Sequence, residues 1–287
     1  MDVKVKGFIL VSFTSIVWAV LIILSKLILN KGVDVFIYSF QMISIAAVFI
    51  ALYVSIFHRA ELVVPSRKLL PKLLLIALVG TAGAYLVGYY GLEHSSSINY
   101  GFLVKTTVVF TVILAHFLLG EELNLHKALL VVLLLMGVYL ITTEGKGLVP
   151  NKFDILIVLS AFFYALANNI SKMALRDINS ESLSMYRMLF GSIFVFIFVF
   201  SFKNGIFSFN YPLYIVAASL HLAALMLLLY KTLRITSVSY LSMMSMFTPI
   251  IVTIIGIIFL EEKFTPIQAV GGFLIIMSGI GIHKKNI

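Results

Sequence analysis

Cysteine is absent from this 287-residue sequence, and charged residues are scarce. Without cysteine the chain can form neither disulfides nor thiolate metal sites, and thiol chemistry is excluded. Charged residues make up 11% of the chain and hydrophobic residues 61%. A typical soluble domain has about 25% charged residues and about 45–50% apolar residues. Together with a mean hydropathy of +1.11, this composition indicates an integral membrane protein.

The hydrophobic residues form long runs, and the short alternating segments of a membrane barrel are missing. Runs of about 18 or more apolar residues can cross a bilayer as helices, which satisfy their own backbone hydrogen bonds. The sequence therefore predicts an all-α integral membrane protein with ten transmembrane helices. The predicted spans are 8–29, 35–57, 73–91, 97–119, 127–143, 154–174, 183–202, 212–230, 237–260 and 266–282.

The second half of the chain repeats landmarks of the first half. The matching pairs are Trp18 and Tyr164, Ser25-Lys26 and Ser171-Lys172, Asn99-Tyr100 and Ser239-Tyr240, and Glu121-Glu122 and Glu261-Glu262. The first two pairs are 146 residues apart and the last two 140. Because each copy has an odd number of spans, the second copy enters the bilayer upside down, as in many transporters. We therefore predict one five-helix repeat over residues 1–145 and a second, inverted repeat over 146–287.

Lysine and arginine are unevenly distributed between the predicted loops. If both termini are cytoplasmic, twelve of them lie on the inner side and five on the outer side. Cytoplasmic loops are enriched in these residues, so we predict a multi-pass protein of the cell membrane with both termini in the cytoplasm. This placement also accounts for the net charge of +9 without a nucleic-acid partner.

The two halves share short motifs in the same order: a polar turn, a helix that ends at an acidic pair, and a last apolar helix. The motifs are Leu233–Ser237, Pro249 and Leu260–Lys263 in the second half, and Trp18, Ser25-Lys26 and Gly120–Glu122 in the first. Over essentially the whole chain, this order resembles the EamA-type repeat of the drug/metabolite transporter superfamily. The resemblance implies ten helices, a central cavity between the halves, and export or exchange of small metabolites, often amino acids.

Pro249 lies inside the predicted ninth span, where a proline removes one helical hydrogen bond. It is either a hinge or a static kink, and the family resemblance favours a hinge. Val109 occupies the equivalent position of the first half. The fourth helix is therefore expected to lack the kink of the ninth.

Lys105 is the strongest candidate for substrate binding. It lies eight residues into the fourth predicted span, about 12 Å along the helix axis from its outer end. A lysine inside the bilayer costs at least about 2.5 kcal/mol, so it should face a wet cavity or a partner. We expect it to bind a carboxylate or phosphate of the substrate. The alternative is a side chain that snorkels to the outer interface.

The other candidates for substrate binding are Trp18, Thr81, Tyr164, Asn168, Asn169 and His221. His221, which aligns with Thr81, would offer a proton-sensitive or hydrogen-bonding group, or else bond a neighbouring helix. Adjacent helical residues point about 100° apart, so only one of the two asparagines is expected to face the cavity. Both asparagines are alternatively bridges between helices, and the two aromatic residues are alternatively packing groups or interface anchors.

Two further features are assigned structural roles. Arg187 is expected to begin the seventh helix near the inner face and to pair with Asp177 or Glu181. The small residues at 80, 84 and 88 form a ridge on the third helix, which lets a neighbouring helix pack closely.

Acidic residues are missing from the middle of every predicted span. A carboxylate relay for protons or sodium is therefore unsupported, and polycationic drugs fit poorly as substrates. With Lys105 and His221 inside, an anionic or zwitterionic solute fits better. We predict a secondary-active transporter that moves a small metabolite by alternating access, with that solute and the lipid bilayer as its partners. No cofactor or resident metal is expected, and a homodimer is left open.

Three other functions were weighed against transport of a small metabolite. A flippase for lipid or lipid-linked substrates belongs to the same transporter class. A channel would show a filter motif or a ring of charge, which the sequence lacks. An intramembrane enzyme would need clustered acid, base or metal ligands, and the six histidines are scattered. We therefore expect that the protein is not an enzyme.

Overall fold

Helices account for all the regular secondary structure of the residues that the computed structural model describes, which are 3–59, 62, 64–119, 125–144, 151–203, 205, 210–236, 238, 241 and 245–283. The α-helices are α1 (Val3–Asn30), α2 (Val35–Phe57), α3 (Leu70–Ala77), α4 (Ala84–Glu93), α5 (Ser97–Leu103), α6 (Thr107–Leu119), α7 (Leu125–Thr143), α8 (Lys152–Ala174), α9 (Ser180–Phe202), α10 (Pro212–Ile235), α11 (Thr248–Leu260) and α12 (Pro266–His283).

The helical segments have the length and composition of membrane spans. Seven of them are long and apolar enough to cross a membrane, and three shorter apolar helices cover Ala128–Thr143, Thr248–Leu260 and Pro266–Ser278. Wherever the structure describes them, the predicted spans lie on helix, although the ninth is described only at residues 238, 241 and 245–260. The prediction of an all-α membrane protein is confirmed, while the count of ten spans and their inverted arrangement stay predictions.

The third span is continuous but locally widened. A π-helical segment, Leu78–Gly83, joins α3 to α4. Such segments are rare and frequently occur at functional sites, because they displace backbone groups from the regular hydrogen-bond ladder. Here the carbonyl of Gly80 accepts a hydrogen bond from the side chain of Arg187, so a second helix supports the irregular turn.

The fourth span is interrupted by a 3₁₀ turn, Val104–Thr106, between α5 and α6. The hydroxyl groups of Thr106 and Thr107 each donate to the carbonyl three residues back, and such back-bonds disturb regular helix geometry. The expectation that Val109 leaves this span without an interruption is therefore wrong. Threonine side chains, and not a proline, accompany the break.

The ninth span carries a 3₁₀ turn as well, Ser245–Phe247, and α11 begins directly after it. Pro249 is the second residue of α11 and is buried. In the first turn of a helix the missing N–H of proline removes no hydrogen bond, so Pro249 starts a helix here and does not kink one in its middle. Its role as a hinge stays a prediction.

The small residues of the third span pack against α8. A side chain at Gly80 would meet the Cβ of Ala167, and a Cβ at Gly88 would lie 2.9 Å from the hydroxyl oxygen of Ser160. Ala84 lies between them and is fully buried. The predicted small-residue ridge is thus confirmed as a packing surface that brings the two helix backbones close together.

Polar contacts join the helix ends in two groups. At one end, called the Asp34 end, Lys203 after α9 donates to Asp34 before α2 at 2.7 Å. Burial alone would raise the pKa of Asp34, but its bonds to Lys203 and to two backbone amides of α2 hold this pKa below its usual value. At the opposite end, called the Asp177 end, Lys72 lies 3.6 Å from Asp177, and Lys231 lies 3.5 Å from Glu181.

Replacing Gly88 by leucine tests the close approach of the third span and α8. The larger side chain would clash with Ser160, so we expect a loss of stability of about 1–3 kcal/mol, seen as a lower unfolding temperature of the detergent-solubilised protein. Gly205→Leu is the control, because no atom of the described residues lies within 4 Å of a Cβ at Gly205. Equal unfolding temperatures for Gly88→Leu and the unmutated protein would contradict the packing described here.

Candidate functional site

Lys105 is buried in the interior of the bundle, in the 3₁₀ turn between α5 and α6. Its side chain is 2% exposed, and its Nζ lies 4.0 Å from the centroid of the Trp18 ring. Among the described residues this amine has no hydrogen-bond acceptor. Snorkelling to the interface is therefore not what the structure shows. In the described part of the chain, the contact of the amine is the cation–π contact with Trp18.

A small cavity, called the Lys105 cavity, adjoins this amine. Its polar and aromatic lining consists of Thr14, Trp18, Lys105, Thr107, Asn168 and Ser245. Ser245 is the residue that the repeat aligns with Lys105, so equivalent positions of the two halves meet here. The volume is about 30 Å³, which is the share of a single water in the liquid. A metabolite could enter only if the helices moved apart.

A second cavity of about 30 Å³, called the Arg187 cavity, lies on the other side of Trp18. It is lined by Trp18, Tyr85, Tyr164, Asn168 and Arg187, with apolar residues of α10. Trp18, Asn168 and Leu229 line both cavities. These three side chains therefore form the wall between a lysine on one side and an arginine on the other.

The wall belongs to a cluster of aromatic rings. The rings of Trp18 and Tyr164, which the repeat aligns with each other, are 6.1 Å apart at an interplanar angle of 76°. Tyr164 also meets Tyr85 edge-on at 5.6 Å. Edge-to-face pairs of this kind are favourable, so the rings hold each other in fixed orientations around the two cations.

Arg187 is 1% exposed, and its hydrogen-bond acceptors are all neutral. Its Nε donates to the hydroxyl of Thr81 at 3.1 Å, Nη1 donates to the hydroxyl of Tyr230 at 2.8 Å, and Nη2 donates to the carbonyl of Gly80. These bonds tie α9 to the third span and to α10. No carboxylate among the described residues forms an ion pair with the guanidinium.

The structure corrects the expectation for Arg187. It neither begins a helix nor pairs with Asp177 or Glu181, because α9 begins at Ser180 and those two acids pair with lysines at the Asp177 end. The sequence did not identify Arg187 as a site residue, because the predicted span began at residue 183 and Arg187 was placed near its beginning. An arginine that lies inside a long apolar run is the sequence signal that would have identified it.

The four remaining candidate residues differ in whether they line a cavity. Asn168 lines both cavities, whereas Asn169 donates to the carbonyl of Ala165 in its own helix at 2.9 Å. Thr81 lines neither cavity but orients Arg187. His221 lines neither cavity, and its Nδ1 lies 2.8 Å from the carbonyl of Ala217 one turn earlier. A role in substrate binding stays a prediction for each of them.

A buried polar network lies between the Lys105 cavity and the Asp34 end. Asp154, in the first turn of α8, accepts hydrogen bonds from Ser95 and from the amide of Asn99 at 3.1 Å. Gln268 of α12 donates to the same Asn99 at 2.8 Å. The network links α5 in the first half to α8 and α12 in the second.

Glu262 closes the same end of the bundle. Its carboxylate accepts hydrogen bonds from the backbone N–H of Ser97 at 2.7 Å, from the Ser97 hydroxyl at 2.9 Å and from the N–H of Ile98 at 3.1 Å. A carboxylate satisfies the unpaired amides at a helix start and is favoured by the helix dipole. Glu262, the second residue of the acidic pair after the ninth span, therefore caps α5, the helix that leads to Lys105.

The two repeated Ser-Lys motifs make matching contacts. Lys26 donates to the last two carbonyls of α4 at 3.0 and 3.2 Å. Lys172 donates to two carbonyls at the end of α10, both at 2.7 Å. Helix C-termini leave carbonyls unpaired, and a lysine satisfies both these groups and the helix dipole. Unlike Lys105, these lysines have a structural role that their contacts explain.

Known proteins resemble this chain over most of its length. The uncharacterized transporter YoaV of Bacillus subtilis is 22% identical over 248 residues, which cover 80% of this chain and 81% of that protein. An uncharacterized transporter of Archaeoglobus fulgidus is 26% identical over 282 residues, 94% of this chain and 95% of the relative. A solved crystal structure with a TM-score of 0.71 covers 98% of this chain at 14% identity, and it supports the fold alone.

The model of the EamA-like transporter family matches residues 5–143 and 151–282. These two ranges contain all the helices that surround Lys105 and Arg187. Because the match extends over nearly the whole sequence, and because the helices are long and apolar enough to span a membrane, the chain belongs to the EamA-like transporter family and is a multi-pass membrane transporter.

Proposed function

We propose that this transporter moves a small anionic or zwitterionic metabolite, such as an amino acid, across the cell membrane, and that the metabolite binds beside Lys105. The observation that carries the proposal is the buried amine, for which the described residues provide no acceptor. Burying an ammonium group costs several kcal/mol, while a desolvated cation–π contact returns only about 2 kcal/mol. A carboxylate or phosphate of the substrate would supply the missing partner.

Asn168 supports a zwitterionic substrate. Its side-chain oxygen is buried and has no hydrogen-bond donor among the described residues, and it lines the same cavity as Lys105. One unpaired donor and one unpaired acceptor thus meet in one cavity. A solute with both an acidic group and a donor group, such as an amino acid, would satisfy the two together.

Alternating access between the two repeats fits the contacts of the helix ends. Glu262 and the Asp154 network join the halves at the Asp34 end, which the charge distribution predicts to face outside. In an alternating-access cycle this closure would open as the halves rock about a central site.

A large lateral groove is the feature that would favour a lipid substrate. Its volume is about 770 Å³, and its largest side chains are Phe36, Tyr90, Phe163, Phe194, Phe198 and Phe202. It shares no residue with the Lys105 cavity or the Arg187 cavity. Since the unpaired polar groups lie elsewhere, transport of a small polar solute is the better supported function.

Stability measurements separate a functional lysine from a structural one. We expect Lys105→Met to keep or raise the unfolding temperature, since an apolar side chain in place of a buried charge is often neutral or stabilising by about 1–4 kcal/mol. The matched variant Lys172→Met should lower it, because two carbonyls lose their donor at a cost of about 1–3 kcal/mol. A loss of stability in Lys105→Met as large as in Lys172→Met would assign Lys105 to the scaffold.

Transport is tested with purified protein in liposomes, by counterflow of a panel of labelled amino acids and organic acids. We expect Lys105→Met to reduce the flux of the transported solute roughly 10- to 100-fold, because a charge-assisted hydrogen bond is lost. Lys68→Met, at an exposed loop position, is the control and should transport normally. Full transport by correctly inserted Lys105→Met protein would remove Lys105 from the proposed mechanism.

A further inference from the structure

We propose that the substrate carries two acidic groups and that Arg187 binds the second one, so that the transported solutes are small organic diacids, including acidic amino acids. This inference rests on the proposed function, in which Lys105 binds the first acidic group. It adds a second anion site on the opposite side of the wall formed by Trp18, Asn168 and Leu229.

The charge of Arg187 has no counter-ion. Its three acceptors are two hydroxyl groups and a carbonyl, and neutral acceptors leave the net positive charge in place. In the described part of the chain, no acidic residue forms an ion pair with Arg187. Glu181 pairs with Lys231, and Asp177 pairs with Lys72. Buried charges in proteins are normally paired, because an isolated ion in a low-dielectric interior is very costly.

The guanidinium also has donors to spare. It carries five N–H groups in a planar fork, and the three hydrogen bonds use one from each nitrogen. One N–H on each of Nη1 and Nη2 therefore has no acceptor among the described residues. Two neighbouring donors in one plane match the two oxygens of a carboxylate. If Arg187 served only to hold Thr81, Tyr230 and Gly80, a neutral donor would suffice.

The two cations lie on either side of a wall that is one side chain thick. Trp18, Asn168 and Leu229 line both the Lys105 cavity and the Arg187 cavity, and a movement of these side chains would join the cavities into one. Such a site has a cation at each end and tyrosine rings along its side. A solute with a single acidic group would leave one of the two charges without a partner, whereas a diacid would neutralise both.

Pairs of solutes with the same shape and different charge test this inference. The probes are glutamate and glutamine, aspartate and asparagine, and succinate and its monoamide. The measurements are the rise in unfolding temperature that each solute produces and its ability to compete in counterflow. For the unmutated protein we expect each diacid to bind roughly 10-fold or more tightly than its amide partner.

Variants assign the preference to Arg187. In Arg187→Gln the ratio between diacid and amide should fall to about one, while the conservative variant Arg187→Lys should keep a preference for the diacid. Thr81→Val removes one acceptor of Arg187 but not its charge, and it should keep the preference as well. If Arg187→Gln does not fold, equal binding of diacid and amide by the unmutated protein would still overturn the inference, and loss of the preference in Arg187→Lys would overturn the role of the positive charge.

The outcomes distinguish this inference from the function on which it rests. Amides that bind or compete as well as diacids, in a manner that depends on Lys105, would overturn the second anion site and leave the proposed function intact. A preference for diacids that survives in Arg187→Gln would also overturn the role of Arg187. Transport that is unaffected in Lys105→Met would instead refute the proposed function itself.

Discussion

Inside a bilayer, polar groups must find their partners within the protein, because hydrocarbon offers none. The described helices follow this rule closely. Buried Ser25 and Ser219 donate to carbonyls of their own helices, and Lys26 and Lys172 satisfy the carbonyls at two helix ends. Against this background Lys105 is an exception. Among the described residues, its Nζ is the only buried amine or carboxylate atom without a hydrogen-bond partner.

Several buried hydroxyl groups and the oxygen of Asn169 are also unpaired among the described residues, but the two cations lie near each other. The unpaired amine of Lys105, the unpaired oxygen of Asn168 and the uncompensated charge of Arg187 all border cavities that share Trp18. Departures from local consistency in a protein are expected at functional sites, where stability is given up for binding. Elsewhere in the bundle a buried cation has an evident structural partner. Two buried cations and an unpaired amide oxygen that border neighbouring cavities are therefore a stronger indication of a substrate site than any one of them alone.

The sequence predicted what depends on local pattern, and it missed what depends on neighbours in space. Long apolar runs defined the helices, and the depth of Lys105 in its run marked it as a buried cation. The 3₁₀ turn that contains Lys105 was not predicted. It is accompanied by threonine hydroxyl groups that donate to carbonyls three residues back, and these bonds leave no periodic pattern in the sequence. The partners of Arg187 also escaped, because Thr81 and Gly80 come from a helix more than a hundred residues away in the chain.

Helix α5 connects the closure of the Asp34 end to the substrate site. It has seven residues. Its first amides are held by Glu262 and its Asn99 by Asp154 and Gln268, while Lys105 follows directly at its other end. In the proposed cycle, opening this end requires those bonds to break, and we infer that α5 and the turn that carries Lys105 then shift relative to the second half. A solute shifts such an equilibrium only as far as its affinity differs between the two states. An anion bound to Lys105 meets this condition, because the displacement of α5 changes the distance between the amine and the cations and rings of the second half.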